Sequence, residues 1–126
     1  MDKHADRYYE EIRQRTSDVK VIAQNSGFSE GDITNIKEHI FIKEHELDVG
    51  KPLRRFFEDY DIAISWQRLI EGKAIREMDM VLLNHELLEL NLMSEGLSYD
   101  EAHALAESKY NYKKYIDDLN EEEGMI

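Results

Sequence analysis

The run LLNHELLELNLM, residues 82–93, sets His85, Glu86 and Glu89 inside an otherwise apolar stretch. On an α-helix, advancing about 100° per residue, His85 and Glu89 fall on the same side as Met78, Val81, Leu88 and Leu92. Ionisable groups are therefore expected on a face that should be buried, where a charge without a partner is costly. Such a helix either pairs these groups with others or uses them for chemistry. In the HExxH arrangement of metallopeptidases, residues at i and i+4 hold one zinc ion from a single helical face while the intervening glutamate acts as base toward bound water. Here Glu89 stands where the second histidine would be. His103, in YDEAHALAESKY, can complete a His85, Glu89 and His103 ligand set for a divalent metal such as zinc, with Glu86 left to activate water. Two other readings stay open: a buried, hydrogen-bonded His–Glu pair that binds nothing, and metal-free acid–base catalysis as in a histidine nuclease. His39 and His45 flank the end of a further apolar helix, and His4 lies in the polar start of the chain.

These residues must be brought together by helices. One proline and six glycines leave little to interrupt them, and the alternation of β-branched residues that marks strands is almost missing. The chain reads as all-α, a single compact domain of five or six helices with a long antiparallel C-terminal pair. Residues 1–16 are expected to form an N-terminal helix, 17–120 the core and 121–126 a frayed tail. Gly27 should end the helix DVKVIAQNS, Ser29 should cap the next, and Gly50 and Pro52 mark HELDVGKPLRRFFED as the longest irregular connection. Ile62, Trp66, Leu69 and Ile70 form one stripe, in which Trp66 reads as core. The last helix opens with a capping box, Ser98 to Glu101, and presents Tyr99, Ala102, His103, Ala106 and Tyr110 on one face. Its two alanines admit a close neighbour, and the short SEGLS connection makes the His85 helix the expected one.

At 126 residues, 41% hydrophobic and 35% charged, the chain reads as one soluble globular domain. It has no apolar run near the roughly 18 residues a membrane span needs, and the start is too polar for a secretory leader, so a cytoplasmic location is expected. The absence of cysteine excludes disulfides and thiolate sites. A net charge of −12 argues against an extended nucleic-acid surface, which needs clustered Lys and Arg. Lys51, Arg54 and Arg55 form the one basic patch. Ala23, Gly27, Ile33 and Ile36 have the spacing of a helix-turn-helix, but the would-be recognition helix carries Glu30, Asp32 and Glu38 against a single Lys37. Tyr110, Tyr112 and Tyr115 read as a cover over the core.

The succession IKEHIFIKEHELD, RRFFEDYDIAISWQRLIEGK, MDMVLLNHELLELNLM and LSYDEAHALAESKYNY resembles a helical domain at the C-termini of phage minor head (head-morphogenesis) proteins and of bacterial polymorphic toxins of the Rhs and LXG type. The similarity covers residues from about 18 to 112. Its recurring elements fall on His39, on Trp66, Arg68 and Gly72, on His85, Glu86 and Glu89, and on Ala102 and His103. The resemblance implies an effector module, a hydrolase or nuclease, with His39, His85, Glu86 and His103 in catalysis and Trp66 and Arg68 at the substrate. It also implies an immunity protein as partner if the module is a toxin, and a virion-associated location if it serves a phage head. The competing expectation is a non-catalytic interaction module of a phage structural protein.

Overall fold

Strong helix formers and few breakers leave the chain little alternative to helices, and the computed structural model, which describes residues 4–124, has helices as its regular elements and no strand among those residues. The elements are α1 (Ala5–Gln14), α2 (Asp18–Ser26), α3 (Glu30–Lys37), α4 (Tyr60–Glu71), α5 (Glu77–Ser94), α6 (Tyr99–Lys109) and α7 (Tyr112–Gly124). A π-helical turn, Glu38–Ile42, continues α3. The helix boundaries follow local chemistry. Ser29 caps α3 by accepting from the Asp32 amide, and Ser98 and Glu101 form the capping box of α6. Gly72 ends α4 at a φ of +73°, and a Cβ there would meet the Asn25 side chain at 2.8 Å. Asn25 needs that space, because its amide closes the end of α4 by donating to the carbonyls of Leu69 and Ile70.

Among the described residues seven α-helices stand where five or six were expected. The extra one arises because the last helix breaks at Tyr110, whose backbone leaves helical geometry at φ −132° and ψ 86°. The Tyr110 carbonyl is instead taken by the His85 ring at 3.0 Å. Helix α7 then runs on to Gly124, into the segment expected to fray, whose last two residues lie outside the described ones, as do residues 1–3 of the N-terminal segment.

The main core is assembled from every early element: Tyr9 and Ile12 of α1, Ile22 of α2, Ile33 and Ile36 of α3, Ile40 and Phe41 of the π turn, Trp66 and Leu69 of α4 and Leu83 of α5. A smaller cluster of Met78, Leu82 and Tyr112 joins α5 to α7. Two ionic groups are sealed within this scaffold. Asp18 accepts from Lys37 Nζ at 2.9 Å, from the Trp66 indole at 3.0 Å and from the Val19 amide at 3.0 Å. Lys37 also donates to the Arg15 carbonyl at 2.8 Å. The second group is Arg68, which grips Asp79 with two bonds of 2.8 and 2.6 Å, while Ser65 and the Tyr112 hydroxyl share a bond of 2.8 Å beside it. The expected hairpin of α2 and α3 is present, and its Lys37 is buried. Among the described residues no helix is long and apolar enough to cross a membrane.

Candidate functional site

Helix α5 contacts α3, the π turn, α4, α6 and α7, so it is surrounded by protein along much of its length. That explains why His85, Glu86 and Glu89 are all buried, at 3, 8 and 2% exposure. On α6, Ala102 and Ala106 are completely buried and let the two helices approach. His103, on the same face, reaches Glu89 Oε2 with Nδ1 at 2.8 Å. From the other side comes His39. A π turn holds more residues per turn than an α-helix, so His39, Ile40 and Phe41 are buried in succession, two of them in the core and His39 toward α5. His39 Nε2 lies 2.8 Å from Glu89 Oε1 and 3.5 Å from Glu86 Oε2.

Glu89 is thus the hub of three imidazoles, the third being His85, whose Nε2 is 3.1 Å from Glu89 Oε2. Burial works to raise the Glu89 carboxyl, but the hydrogen bonds with His103, His39 and His85 together outweigh it and hold the group well below the usual carboxylate range. The same bond raises His103 above the ordinary imidazole value. Glu86 goes the opposite way. Burial, and then the negative charge of Glu89, push it well above the usual range, and no hydrogen bond reaches it from any described residue. Glu107 of α6 closes the far side, with Oε2 3.4 Å from His85 Nδ1.

These groups form one wall of an open cavity of about 600 Å³. Its other walls are Tyr9, Phe56, Tyr99 and Ile62, and Asp48, Asp59, Asp61, Asp100 and Asp117 outnumber Arg54 and Lys113 in its lining. The irregular connection 43–59 forms a flap over one side. It is pinned by an antiparallel bridge between His45 and Arg54 and by His45 Nε2, which donates to the His39 carbonyl at 2.8 Å. Burial lowers His45 below the ordinary imidazole value. Phe56 stacks on His45 at 4.6 Å between ring centres and meets His39 and Tyr99 edge-on or tilted at 5.2 Å. Deeper in, the Tyr9 hydroxyl approaches the Asp59 main chain without a bond of good geometry.

The structure therefore brings His39, His85, Glu86, Glu89 and His103 to one place. Trp66 and Arg68 are elsewhere: Trp66 is fully buried against Phe41 with its indole on Asp18, and Arg68 is held by Asp79. Neither lines the cavity. Sequence reasoning missed Glu107, although it lies four residues after His103 and so on the same helical face. It also missed the roles of Phe56 and Tyr99, whose positions depend on the flap. His85 and His103 each supply a ligand atom together with Glu107, and His39 with Glu86 and Glu89, all within 4.8 Å inside each group.

Fold and site together define an all-helical domain with a histidine- and carboxylate-lined cavity. Comparison with protein-family models, with curated proteins and with solved structures gives no match to this chain.

Proposed function

We propose that the protein is a hydrolase of the effector type that phage head-morphogenesis proteins and polymorphic toxins carry at their C-termini, with a divalent cation held by His85, Glu89 and His103. The observation that carries this reading is the setting of His85. Its Nδ1 faces the Tyr110 carbonyl at 3.0 Å, and a carbonyl oxygen can only accept, so a ring proton belongs there. With a proton held on Nδ1, the ring can give up the Nε2 proton that bonds to Glu89 Oε2, 3.1 Å away, and offer that lone pair to a cation between the two atoms. Orientation of a ligating histidine by a bond from its other nitrogen to a main-chain oxygen is a general property of metal sites. The spacing also fits. With bonds of about 2.1 Å, neighbouring ligands around an ion are about 3.0 Å apart in an octahedron and about 3.4 Å in a tetrahedron.

In this reading Glu86, which faces the cavity, would take the proton of the attacking water and become neutral, and His39, 2.8 Å from Glu89 Oε1 and 3.5 Å from Glu86 Oε2, would orient both carboxyls. The surplus of aspartates around the cavity supports a neutral or cationic substrate over a nucleic acid. The helix-turn-helix alternative draws no support from α3, whose Lys37 is buried on Asp18. As a toxin module the domain would be met by an immunity protein, and it would act in the cytoplasm or from a virion. A second reading, a non-catalytic interaction module of a phage structural protein, draws on Val49, Leu53 and Phe57 of the flap, which are 83, 58 and 77% exposed.

The test is hydrolysis of chromogenic ester, amide and phosphodiester substrates before and after stripping with a chelator. Turnover should vanish on stripping and return with zinc or manganese, and Glu86→Gln should keep a bound cation while losing turnover. Turnover indifferent to the chelator contradicts the metal reading, and wild-type turnover in Glu86→Gln contradicts the role of Glu86.

A further inference from the structure

The ligating groups around Glu89 are divided between its two oxygens. Oε1 faces His39, and Glu86 lies on that side, 3.5 Å from the same imidazole nitrogen. Oε2 faces His85 Nε2 and His103 Nδ1, and Glu107 lies across the two rings, 3.4 Å from His85 Nδ1 and 3.9 Å from His103 Nε2. One ligand atom from each of His39, Glu86 and Glu89 lies within 4.8 Å of the others, and the same holds for His85, His103 and Glu107. We infer that the site holds two divalent cations bridged by the Glu89 carboxylate, one on His39 and Glu86, the other on His85, His103 and Glu107. This rests on the proposed metal-dependent reading and extends it.

Three independent observations favour two ions over one. First, the donors number too many for a single ion. Three imidazole nitrogens, both Glu89 oxygens and one oxygen each from Glu86 and Glu107 exceed the four positions of a tetrahedron and the six of an octahedron. Second, charge balances better. Three carboxylates facing one divalent ion leave a net negative charge in a largely buried site, whereas two ions leave a single positive charge that a water-derived hydroxide or an anionic substrate group neutralises. Third, Glu86 is 8% exposed and no hydrogen bond reaches it, although it faces the cavity. A buried carboxyl whose one ionic contact, His39 at 3.5 Å, makes no hydrogen bond is costly, and a ligand bond to a cation would remove that cost. Ions bridged by a carboxylate lie about 3.5–4 Å apart, the separation at which a pair clamps the attacking and leaving oxygens of a displacement. Glu86 would then hold its ion through one carboxylate oxygen and keep the other for the proton of the attacking water, as in the single-ion reading.

The experiment measures stoichiometry. The full chain is stripped with a chelator, reloaded with manganese, desalted and analysed for metal per chain, and its electron paramagnetic resonance spectrum is recorded. Wild type should bind two ions per chain and give the broadened spectrum of a coupled pair. Glu86→Gln, a near-isostere chosen to preserve folding, should retain one ion and give the six-line spectrum of isolated manganese, and His39→Asn should do the same. One ion in wild type, with a six-line spectrum and unchanged in both variants, overturns the second ion and leaves the single-cation reading standing. No stoichiometric metal in wild type overturns both.

Discussion

Asp18 and Glu89 are equally buried, at 2% exposure each, and both accept three hydrogen bonds, yet they are built for different ends. The donors to Asp18 are an ammonium, an indole and a main-chain amide, groups that bring a proton and no lone pair. Every bond there is satisfied, and Asp18 is not among the residues lining the cavity. The partners of Glu89 are imidazole nitrogens, each able to offer either a proton or a lone pair. Two further carboxylates stand beside it, and one of them, Glu86, has no hydrogen bond among the described residues. A buried ionic cluster that only fixes packing closes on itself. On the proposed reading, one that leaves an acid facing an open cavity holds groups in reserve for a ligand.

That contrast can be broken by mutation, and the largest effect is expected in the closed cluster. Asp18→Ala leaves Lys37 buried without its counter-ion and the indole of Trp66 without an acceptor. It should cost about 3–5 kcal/mol in urea unfolding, while metal uptake per folded chain stays unchanged. A loss below about 1 kcal/mol would remove the structural role assigned to Asp18. In the open cluster the sign reverses. Glu86→Gln removes a carboxyl that the fold disfavours, so the metal-free variant should be more stable than wild type by on the order of 1 kcal/mol near neutral pH.

The pH dependence sharpens this. The folded pKa of Glu86 is raised above its unfolded value, so the fold favours its protonated form. Relative to Glu86→Gln, metal-free wild type should be at least as stable at acid pH and should lose stability as pH rises from the ordinary carboxylate value, about 4.3, toward the folded one. Glu89, held low, acts in the opposite sense: its contribution is present above the ordinary carboxylate value and disappears as pH falls through the folded pKa. Melting curves of the two metal-free proteins that stay parallel from pH 5 to 8 would contradict the assignment for Glu86.

Smaller effects should follow at the rim. His103→Ala removes one of the three bonds to Glu89, but His39 and His85 remain, so metal-free stability should fall by about 1 kcal/mol. Metal affinity should fall much further, because one ligand of three is lost from that cation. Equal, small losses in both assays would make His103 a structural residue like Lys37. Because Lys37 is committed to Asp18, gel shifts with random duplex DNA at physiological salt should show no affinity tighter than about micromolar.

Much of this contrast was legible in the sequence. Local pattern gave most of the helices, the caps at Ser29 and Ser98 and the glycine stop at Gly27, because each depends on a few adjacent residues. The meeting of His103 with Glu89 could be read from two alanines and a short connection. Other features depend on contacts between segments far apart in the chain. The break at Tyr110 follows from a bond to His85, 25 residues away. The widened turn that buries His39 is a property of the backbone with no composition signal. Arg68, which the family resemblance suggested for substrate, is turned from the cavity by Asp79, and nothing in its local spacing reveals that bidentate grip.

The central claim, that the Glu89 cluster is a cation site and the Asp18 cluster is not, is tested most directly by thermal unfolding of chelator-stripped protein with and without zinc or manganese. Wild type and Asp18→Asn should both melt several degrees higher with the ion, since a ligand at about 100 times its Kd adds about 2.7 kcal/mol, although Asp18→Asn starts from a lower baseline. Glu89→Gln should show no shift. Identical curves for stripped wild type with and without the ion would contradict the claim.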